Sequence, residues 1–267
     1  GLGQRFAAGS QSAGSKGEVG LRGKAAFLRA ADLFLGRADV TQVILAVDPD
    51  KIDDFRFRWD DKLSFMGVTL VPGGKTDRWE TVQLALEHVA ADATHIAVHD
   101  AARPLASSAM IDRVFAAAQA YDAVVPGLRV SDTLKRVAPG TGEPLCKDAI
   151  DDIFADPGTP LASTILEVIE TVSREQLFRV QTPQVFRAGL LRECYAGLDT
   201  QNAFEITDDA SVVELAGHTV HVVEGDAMNL KLTRPDDAEL LEAVLRLQEE
   251  SSAKRAAEQV LFGDDED

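Results

Sequence analysis

The chain has 267 residues, of which 45% are hydrophobic, and this length is enough for one large α/β domain or two small ones. Its formal net charge of -17 argues against a nucleic-acid partner or an anionic membrane surface, because phosphate polymers would be repelled. No apolar run predicts a membrane span or a signal peptide, and the two cysteines, Cys146 and Cys194, form no metal-ligand cluster and favour a reducing compartment.

The N-terminal segment is rich in glycine and carries two cations. It reads Gly-Leu-Gly-Gln-Arg-Phe, with Gly1, Gly3 and Arg5, and small residues then lead to Lys16. Backbone N–H groups and two positive side chains in such a loop suit the binding of phosphates. A disordered N-terminal tail is the competing interpretation, and a single Gly-x-Gly does not decide between the two.

Helix-like and strand-like patterns alternate over the next hundred residues. Apolar residues at helical spacing predict helices over residues 24–35, 50–63, 78–89 and 108–120. Short apolar runs predict strands over residues 40–47, 68–71, 94–98 and 122–126. This order predicts βαβ units with right-handed crossovers, and therefore an α/β fold with a mostly parallel sheet flanked by helices.

Two glycines precede the third of these helices. Gly73 and Gly74 interrupt the chain after the strand at 68–71, and the helix that follows opens with Arg78 and Thr81. Glycines before a helix N-terminus that carries a guanidinium suit the base or the phosphate of a nucleotide. A plain turn between strand and helix is the alternative.

A second polar motif, His-Asp-Ala-Ala-Arg-Pro, follows the strand at 94–98. It places Asp100 and Arg103 just past the carboxyl end of a strand, where open α/β sheets bind their ligands. An acid and a base three residues apart at that edge suit a metal ion held beside a phosphate. A local ion pair in a loop is the alternative, and His99 is expected to orient this loop.

The alternation stops near residue 130, and a long excursion begins. Residues 130–137 alternate like an exposed strand, residues 138–163 are rich in Pro, Gly and Asp, and residues 164–172 are apolar at regular spacing. Connections this long are usually functional or disordered, so we predict a protruding arm over about residues 130–178.

The chain then returns to the sheet and ends in a tail. Helices are predicted over 188–197, from a cap at Thr207 or Asp208 to 215, and from 235 onward, with strands over 219–223 and 229–233. The last of these strands carries Lys231. We interpret Asp208 and Asp209 as a cap and a structural partner rather than metal ligands. Residues 246–267 are a charged tail, in which we expect a frayed helix and then disorder.

Seven short motifs occur in a fixed order along the chain. They are Gly-x-Gly-x-Arg-Phe with a later Lys, Gly-Gly followed by Arg-x-x-Thr-Val, His-Asp-Ala-Ala-Arg-Pro, Asp-Thr-Leu-Lys-Arg, Gln-Thr-Pro-Gln-x-Phe, Thr-Asp-Asp-Ala, and Asn-Leu-Lys-Leu-Thr-x-Pro-Asp. In this order they resemble the 2-C-methyl-D-erythritol 4-phosphate cytidylyltransferase family of the non-mevalonate isoprenoid pathway. Each motif alone is weak, but the set is specific and covers about residues 1–245.

The resemblance implies a Rossmann-like nucleotidyltransferase domain over residues 1–245, a homodimer joined by the arms, Mg²⁺ and a cytoplasmic location. It also implies one reaction, in which a phosphate oxygen of methylerythritol phosphate attacks the α-phosphorus of CTP and pyrophosphate leaves. One alternative is a ribitol-5-phosphate cytidylyltransferase, whose relatives share most of these motifs. Another is a truncated, inactive nucleotide-binding module.

The resemblance also implies a role for each matched residue. The catalytic cations at the triphosphate are Arg5, Lys16 and Lys231. The nucleotide-binding residues are Gly1, Gly3, Gly73, Gly74, Arg78, Thr81 and Asp100, and Asp100 is also the expected metal ligand. The residues implied for the sugar phosphate are Arg103, Thr133 and Arg174, of which the last two reach the substrate of the neighbouring subunit.

Three departures from the family's pattern accompany these assignments. The family carries an apolar strand ahead of the Gly-x-Gly motif that this sequence lacks. We therefore expect a truncated chain, with unpaired backbone groups and lost packing where that strand would lie. The loop before Lys16 is longer than usual, so Lys24 is an alternative for the family lysine, and the arm is enlarged between Arg136 and Thr171.

Overall fold

The computed structural model describes residues 16–138, 143–144, 164–199 and 206–262. The chain divides into two compact units, which we call the body (residues 1–127 and 180–267) and the arm (residues 128–179). Helices alternate with strands along the body, so the predicted α/β class is confirmed.

The helices coincide with the amphipathic stretches of the sequence. In chain order they are α1 (Ala26–Asp32), α2 (Ile52–Phe65), α3 (Arg78–Leu86), α4 (Ser108–Ala118), α5 (Ala188–Ala196), α6 (Asp209–Leu215) and α7 (Asp236–Phe262), with short 3-10 turns at Lys16–Glu18 and Pro49–Lys51. In α4 the Ser107 hydroxyl accepts from Met110 N at 3.3 Å and caps the helix, while Met110, Ile111 and Val114 are buried on one face.

The strands are short. In chain order they are β1 (Gly20–Leu21), β2 (Lys24–Ala25), β3 (Val43–Val47), β4 (Val68–Pro72), β5 (His95–Val98), β6 (Ala123–Arg129), β7 (Leu134–Val137), β8 (Glu143–Pro144), β9 (Thr164–Ile165), β10 (Val168–Val172), β11 (Phe178–Val180), β12 (Gln184–Arg187) and β13 (His221–Glu224). In the body, β3 and β4 pair in parallel, as βαβ units require.

The larger sheet of the body is mixed. Strand β12 lies between β5 and β6 and is antiparallel to both, whereas β13 pairs in parallel with the other edge of β6. Strands β5, β6 and β13 therefore share one direction, and their carboxyl ends lie at one edge of the sheet. Helices α4 and α5 pack against this sheet and bury its apolar residues.

A cavity of about 1990 Å³ adjoins both sheets, and every residue of β3 and of β5 contributes to its walls. Among the described residues, β3 pairs only with β4 and β5 only with β12, so one edge of each strand has no strand partner. Phe27, Phe34 and Val82 add apolar surface to the walls. The cavity is thus bordered by two open strand edges and by apolar side chains.

The segment at 229–233 forms no strand, so that prediction is wrong. Its backbone groups are engaged by side chains and single contacts instead of a ladder. Asn229 O accepts from Gln181 Nε2 at 3.3 Å, Thr233 N donates to Asp237 Oδ2 at 2.7 Å, and Leu232 N donates to Ala102 O at 2.8 Å. This irregular path places Lys231 beside the end of β5.

Helix α7 begins where Pro and Asp predicted it and continues to Phe262, beyond the predicted start of fraying. The Asp237 carboxylate anchors its first turn by accepting from Thr233 N at 2.7 Å and Arg234 N at 2.7 Å. Leu241 and Leu245 are buried in a cluster of the body. Within the described ranges, no helix is both long enough and apolar enough to cross a bilayer.

The arm contains an antiparallel ladder of β7 and β10, in which Arg136 Nε donates to Glu170 Oε1 at 2.6 Å. Its apolar residues are unusually open, and Val168 and Ile169 are 52% and 57% exposed. Exposed apolar patches commonly mark contact surfaces. Most of the predicted excursion at 138–163 lies outside the described residues.

Candidate functional site

The glycine turn after β4 is packed closely against the start of α3. Gly73 N donates to Val47 O at 2.7 Å, and Gly74 N donates to Thr81 Oγ1 at 3.0 Å. A Cβ atom at Gly73 would lie 2.8 Å from Thr81 Cγ2, and one at Gly74 would overlap Glu80 Cβ. These two approaches require glycine, and they bring the first turn of α3 to the carboxyl end of β4.

Asp100, directly past β5, lies at the centre of a cluster of cations and has only 12% of its side chain exposed. Its Oδ1 accepts from Arg78 Nε at 3.2 Å, and its Oδ2 lies 2.7 Å from Lys231 Nζ and 3.6 Å from Arg103 Nε. We call these four residues the Asp100 cluster. The structure thus joins residues that the sequence placed in three separate motifs.

The Asp100 cluster keeps its carboxylate ionised. Burial disfavours the charged form of Asp100, but the charges of Arg78, Lys231 and Arg103 outweigh burial and lower the pKa of the carboxyl well below its usual range. Burial also lowers the pKa of Arg103. With Asp209, which pairs with Arg78, three cations face two carboxylates. This local positive surplus in an acidic chain suits a small anionic ligand.

His99 supports the Asp100 loop as a neutral ring. Its Nε2 lies 2.9 Å from Arg103 O, and because a carbonyl only accepts, Nε2 carries the proton. Nδ1 therefore accepts from Thr182 Oγ1 at 3.0 Å, and the same Oγ1 accepts from Asp100 N at 3.0 Å. Burial lowers the pKa of His99 to about 4, which keeps the ring neutral near pH 7. The expectation that His99 orients this loop is confirmed.

Arg103 and Asn229 hold the Lys231 segment against the Asp100 loop. Arg103 Nη1 donates to Asn229 O at 2.7 Å, and the buried Asn229 side chain donates to Thr182 O at 2.9 Å. Sequence reasoning did not single out Asn229 or Thr182, although both stand in the motifs that carry the resemblance. The predicted role of Arg103 toward a sugar phosphate stays a prediction.

Asp209 is a third residue that sequence reasoning did not assign to the site. Its side chain is fully buried, and its Oδ2 accepts from Arg78 Nη1 at 2.6 Å, while Oδ1 accepts from Tyr195 Oη at 2.7 Å. The neighbouring Asp208 caps α6 by accepting from Ser211 N at 2.9 Å. The interpretation of the two acids as a cap and a structural partner is therefore confirmed.

Asp100 is the predicted metal ligand, and its carboxylate lies among three cations with 12% of its side chain exposed. Within the described residues, no group of three or more His, Cys, Asp or Glu side chains could hold a metal ion. One ionised carboxylate fits Mg²⁺ when substrate phosphates and water supply the remaining oxygens, which is the usual arrangement for this ion. The residues present therefore fit a metal that arrives with a nucleotide.

Other predicted residues lie apart from the Asp100 cluster or outside the described residues. Gly1, Gly3 and Arg5 lie outside the described residues, and for Lys16 only the backbone is described, in a 3-10 turn. Lys24, the alternative to Lys16, pairs with Asp32 in this structure.

The two predicted arm residues lie at the same end of the arm ladder. Thr133 precedes β7 and Arg174 follows β10, and these strands are antiparallel. Arg174 Nη1 donates to Ser131 O. Their predicted role in binding the sugar phosphate stays a prediction.

Comparisons with known proteins agree on one family. The sequence profile of 2-C-methyl-D-erythritol 4-phosphate cytidylyltransferase matches residues 1–143 and 160–247. The chain is 37% identical over 256 residues to a protein of that name from Rhodopirellula baltica, covering 92% of this chain and 91% of the relative. It is 34% identical over 248 residues to one from Acidobacterium capsulatum, covering 92% and 94%.

A solved structure shows the same similarity in three dimensions. The crystal structure of 2-C-methyl-D-erythritol 4-phosphate cytidylyltransferase from Thermus thermophilus matches with a TM-score of 0.64 and 29% sequence identity. The match covers 86% of this chain and 94% of that chain. Sequence and structure therefore point to the same relatives.

Proposed function

This chain belongs to the 2-C-methyl-D-erythritol 4-phosphate cytidylyltransferase family and carries out CTP-dependent cytidylyl transfer in isoprenoid biosynthesis, and from that premise we propose which of its residues carry the reaction. The acceptor is methylerythritol phosphate, the substrate in the names of the relatives at 37% and 34% identity. One of its phosphate oxygens attacks the α-phosphorus of CTP, and pyrophosphate leaves.

The observation that carries the proposal is the Asp100 cluster at the carboxyl end of β5, beside the glycine turn. Attack of one phosphate on another brings two anions together and places negative charge on the oxygens of the α-phosphate. The protein needs no covalent nucleophile for this step. It needs fixed positive charge and a fixed orientation of the two reactants, which a buried network of cations supplies.

Lys231 is the cation that we assign to the α-phosphate. Its side chain is 40% exposed, against 25% for Arg78 and 13% for Arg103, so its ammonium group is the most accessible of the three. An ammonium is a compact charge with three donors that can follow the phosphate as the bond to pyrophosphate breaks. Arg78 offers a planar guanidinium to the nucleotide at the start of α3.

The glycine turn is assigned to the cytidine. Thr81 Oγ1 already accepts from Gly74 N at 3.0 Å, so its hydroxyl hydrogen is left as a donor toward the nucleotide. A Cβ atom at either glycine would collide with Thr81 or Glu80, so the turn lies directly against the first turn of α3. This arrangement explains why a hydroxyl residue stands at this point of α3.

Mg²⁺, bound with CTP, supplies charge neutralisation on the phosphates. Asp100 is the residue that would hold it, because the carboxylate stays ionised and faces the proposed phosphate position. Arg103 and Lys231 keep that carboxylate in place through their contacts with Oδ2.

The remaining assignments extend the site beyond the Asp100 cluster. We assign Gly1, Gly3, Arg5 and Lys16 to binding of the triphosphate. Thr133 and Arg174 bind methylerythritol phosphate in the active site of a second copy, so the enzyme works as a homodimer joined by its arms. The exposed apolar residues of β10 support such a contact surface.

The free Cys194 supports a reducing, cytoplasmic location.

The decisive experiment follows pyrophosphate release from CTP and Mg²⁺ with either methylerythritol phosphate or ribitol 5-phosphate as acceptor. We expect turnover with methylerythritol phosphate and loss of turnover when a chelator removes the metal. Faster pyrophosphate release with ribitol 5-phosphate would overturn the assignment of the acceptor. Pyrophosphate release that is unchanged by the chelator would overturn the assignment of the metal. The ribitol alternative is not favoured, because the family profile and the relatives carry the methylerythritol name.

A further inference from the structure

Among the described residues, Asp209 is the only acidic residue that is buried. Burial of an ionised carboxylate is costly unless the group is paired and hydrogen-bonded. Asp209 meets this condition with both oxygens, one bonded to Arg78 Nη1 at 2.6 Å and the other to Tyr195 Oη at 2.7 Å. Its partners are thus one cation of the proposed site and one buried tyrosine.

Arg78 connects this buried pair to the Asp100 cluster. Nη1 bonds to Asp209 and Nε bonds to Asp100 at 3.2 Å, while Nη2 makes no hydrogen bond with any described residue. Two anchors on a planar guanidinium fix the direction of the third nitrogen. With 25% of its side chain exposed, Arg78 can be reached by a ligand.

Tyr195 makes the anchor rigid. The residue is 2% exposed in α5, and its backbone carbonyl accepts from Gln83 Nε2 of α3 at 3.3 Å, which ties together the helices that carry Tyr195 and Arg78. Burial and the charge of Asp209 raise the pKa of Tyr195 well above its usual range, so the hydroxyl remains a donor.

We propose that Asp209, supported by Tyr195, is a positioning residue for cytidylyl transfer, which holds the Arg78 guanidinium so that Nε binds Asp100 and Nη2 meets the bound nucleotide. The inference rests on the proposed role of Arg78 in nucleotide binding. Asp209 touches no substrate and acts through Arg78.

The first test compares two neighbouring acids. Asp209→Asn removes the charge and keeps the volume, and we expect kcat/KM for CTP in the pyrophosphate-release assay to fall about tenfold to a hundredfold. Tyr195→Phe should lower it a few-fold. Asp208→Asn is the matched control, because Asp208 contacts Ser211 and Gln184 but no cation of the cluster. It should lose some thermal stability and keep the wild-type kcat/KM.

The second test separates positioning from general structural support. A purely structural residue would lower kcat/KM by the same factor whether or not Arg78 is present. We expect Asp209→Asn to change kcat/KM by less than about twofold in an Arg78→Ala background, because coupled residues are not additive. Added guanidinium should partly restore the Arg78→Ala variant. That rescue should be lost with Asp209→Asn and weakened with Tyr195→Phe.

Three outcomes would overturn the inference. They are a wild-type kcat/KM in Asp209→Asn, an equal loss of kcat/KM from Asp209→Asn in the wild-type and Arg78→Ala chains, and guanidinium rescue of Arg78→Ala that Asp209→Asn does not change. If Asp209→Asn fails to fold, unchanged rescue in Tyr195→Phe contradicts the inference and weakened rescue supports it. Absence of turnover in the unmodified chain would count against the proposed function instead. Calorimetric CTP affinities of the same variants then decide whether Asp209 acts through Arg78.

Discussion

Replacing Lys231 with alanine removes the most exposed cation of the Asp100 cluster and leaves its loop anchored. Leu232 N still donates to Ala102 O at 2.8 Å, so the backbone has no reason to move. The ion pair of Lys231 Nζ and Asp100 Oδ2, at 2.7 Å, contributes on the order of 1 kcal/mol or less to stability, because solvent screens a side chain that is 40% exposed.

In the proposed mechanism, the same ammonium group meets the charge that develops on the α-phosphate. Removal of such a donor typically costs roughly 3–4 kcal/mol of transition-state stabilisation, which corresponds to a hundredfold or greater loss in kcat. The expected result is therefore a large loss of turnover with little loss of stability. This separation is the signature of a residue that acts on the reaction and not on the fold.

Steady-state pyrophosphate release and thermal unfolding test this prediction together. Lys62→Ala is the matched control, since Lys62 is an exposed lysine of α2 whose Nζ lies 5.8 Å from the Trp59 ring. Both variants should keep the wild-type unfolding temperature within a few degrees, and only Lys231→Ala should lose turnover. A rate near wild type for Lys231→Ala, or equal losses in both variants, would refute the assignment of Lys231 to the α-phosphate.

Three further predictions follow from individual contacts. The pKa of His99 is about 4 in the folded chain and about 6.5 in the unfolded chain, so the unfolded chain binds more protons between these pH values. The free energy of unfolding should therefore fall by about 2–3 kcal/mol from about pH 7 to pH 4.5. His99→Gln should remove this part of the decline, as measured by denaturant titrations. Gly74→Ala forces Glu80 to move, so it should cost about 1–3 kcal/mol of stability and weaken CTP binding. In the control Gly189→Ala nothing lies within 4 Å of the new Cβ atom, so the unfolding midpoint should stay unchanged or rise. Similar midpoints for the two variants would contradict the packing argument. Ile169→Asp places a charge on the exposed face of β10 and should turn the proposed dimer into a monomer in sedimentation experiments, and a dimer that persists would argue against an arm interface.

Local structure followed closely from local sequence. The third predicted helix begins at Arg78 as expected. Asp77 is its N-cap and forms a capping box with Glu80, whose carboxylate also accepts from Thr76 N at 2.9 Å. The position at which a strand begins depended instead on the strand with which it pairs. The strand predicted from residue 40 begins at Val43, which is opposite the first residue of β4, Val68. Where pairing decides the boundary, the pattern of one segment is not sufficient.

The site was only partly predictable for a related reason. Asp100 and Arg103 share one motif, so their ion pair was an explicit alternative from the start. The contact of Arg78 with Asp209 joins residues 131 positions apart, and no periodicity or spacing predicts such a contact. Lys231 was assigned through the resemblance to a family, while the strand predicted around it does not form.

The sequence by itself determined the α/β class, the alternation of helices and strands between residues 26 and 126, and the two glycines at which a side chain would collide with α3. These features depend on periodicity and on backbone sterics, which act over a few neighbouring residues. The tertiary structure alone decided that three cations from distant segments meet one carboxylate, that His99 is neutral, and that Asp209 anchors Arg78. Ion pairs and pKa shifts depend on distances of a few ångströms and on exclusion of water, and both are set only when the strands and helices have packed.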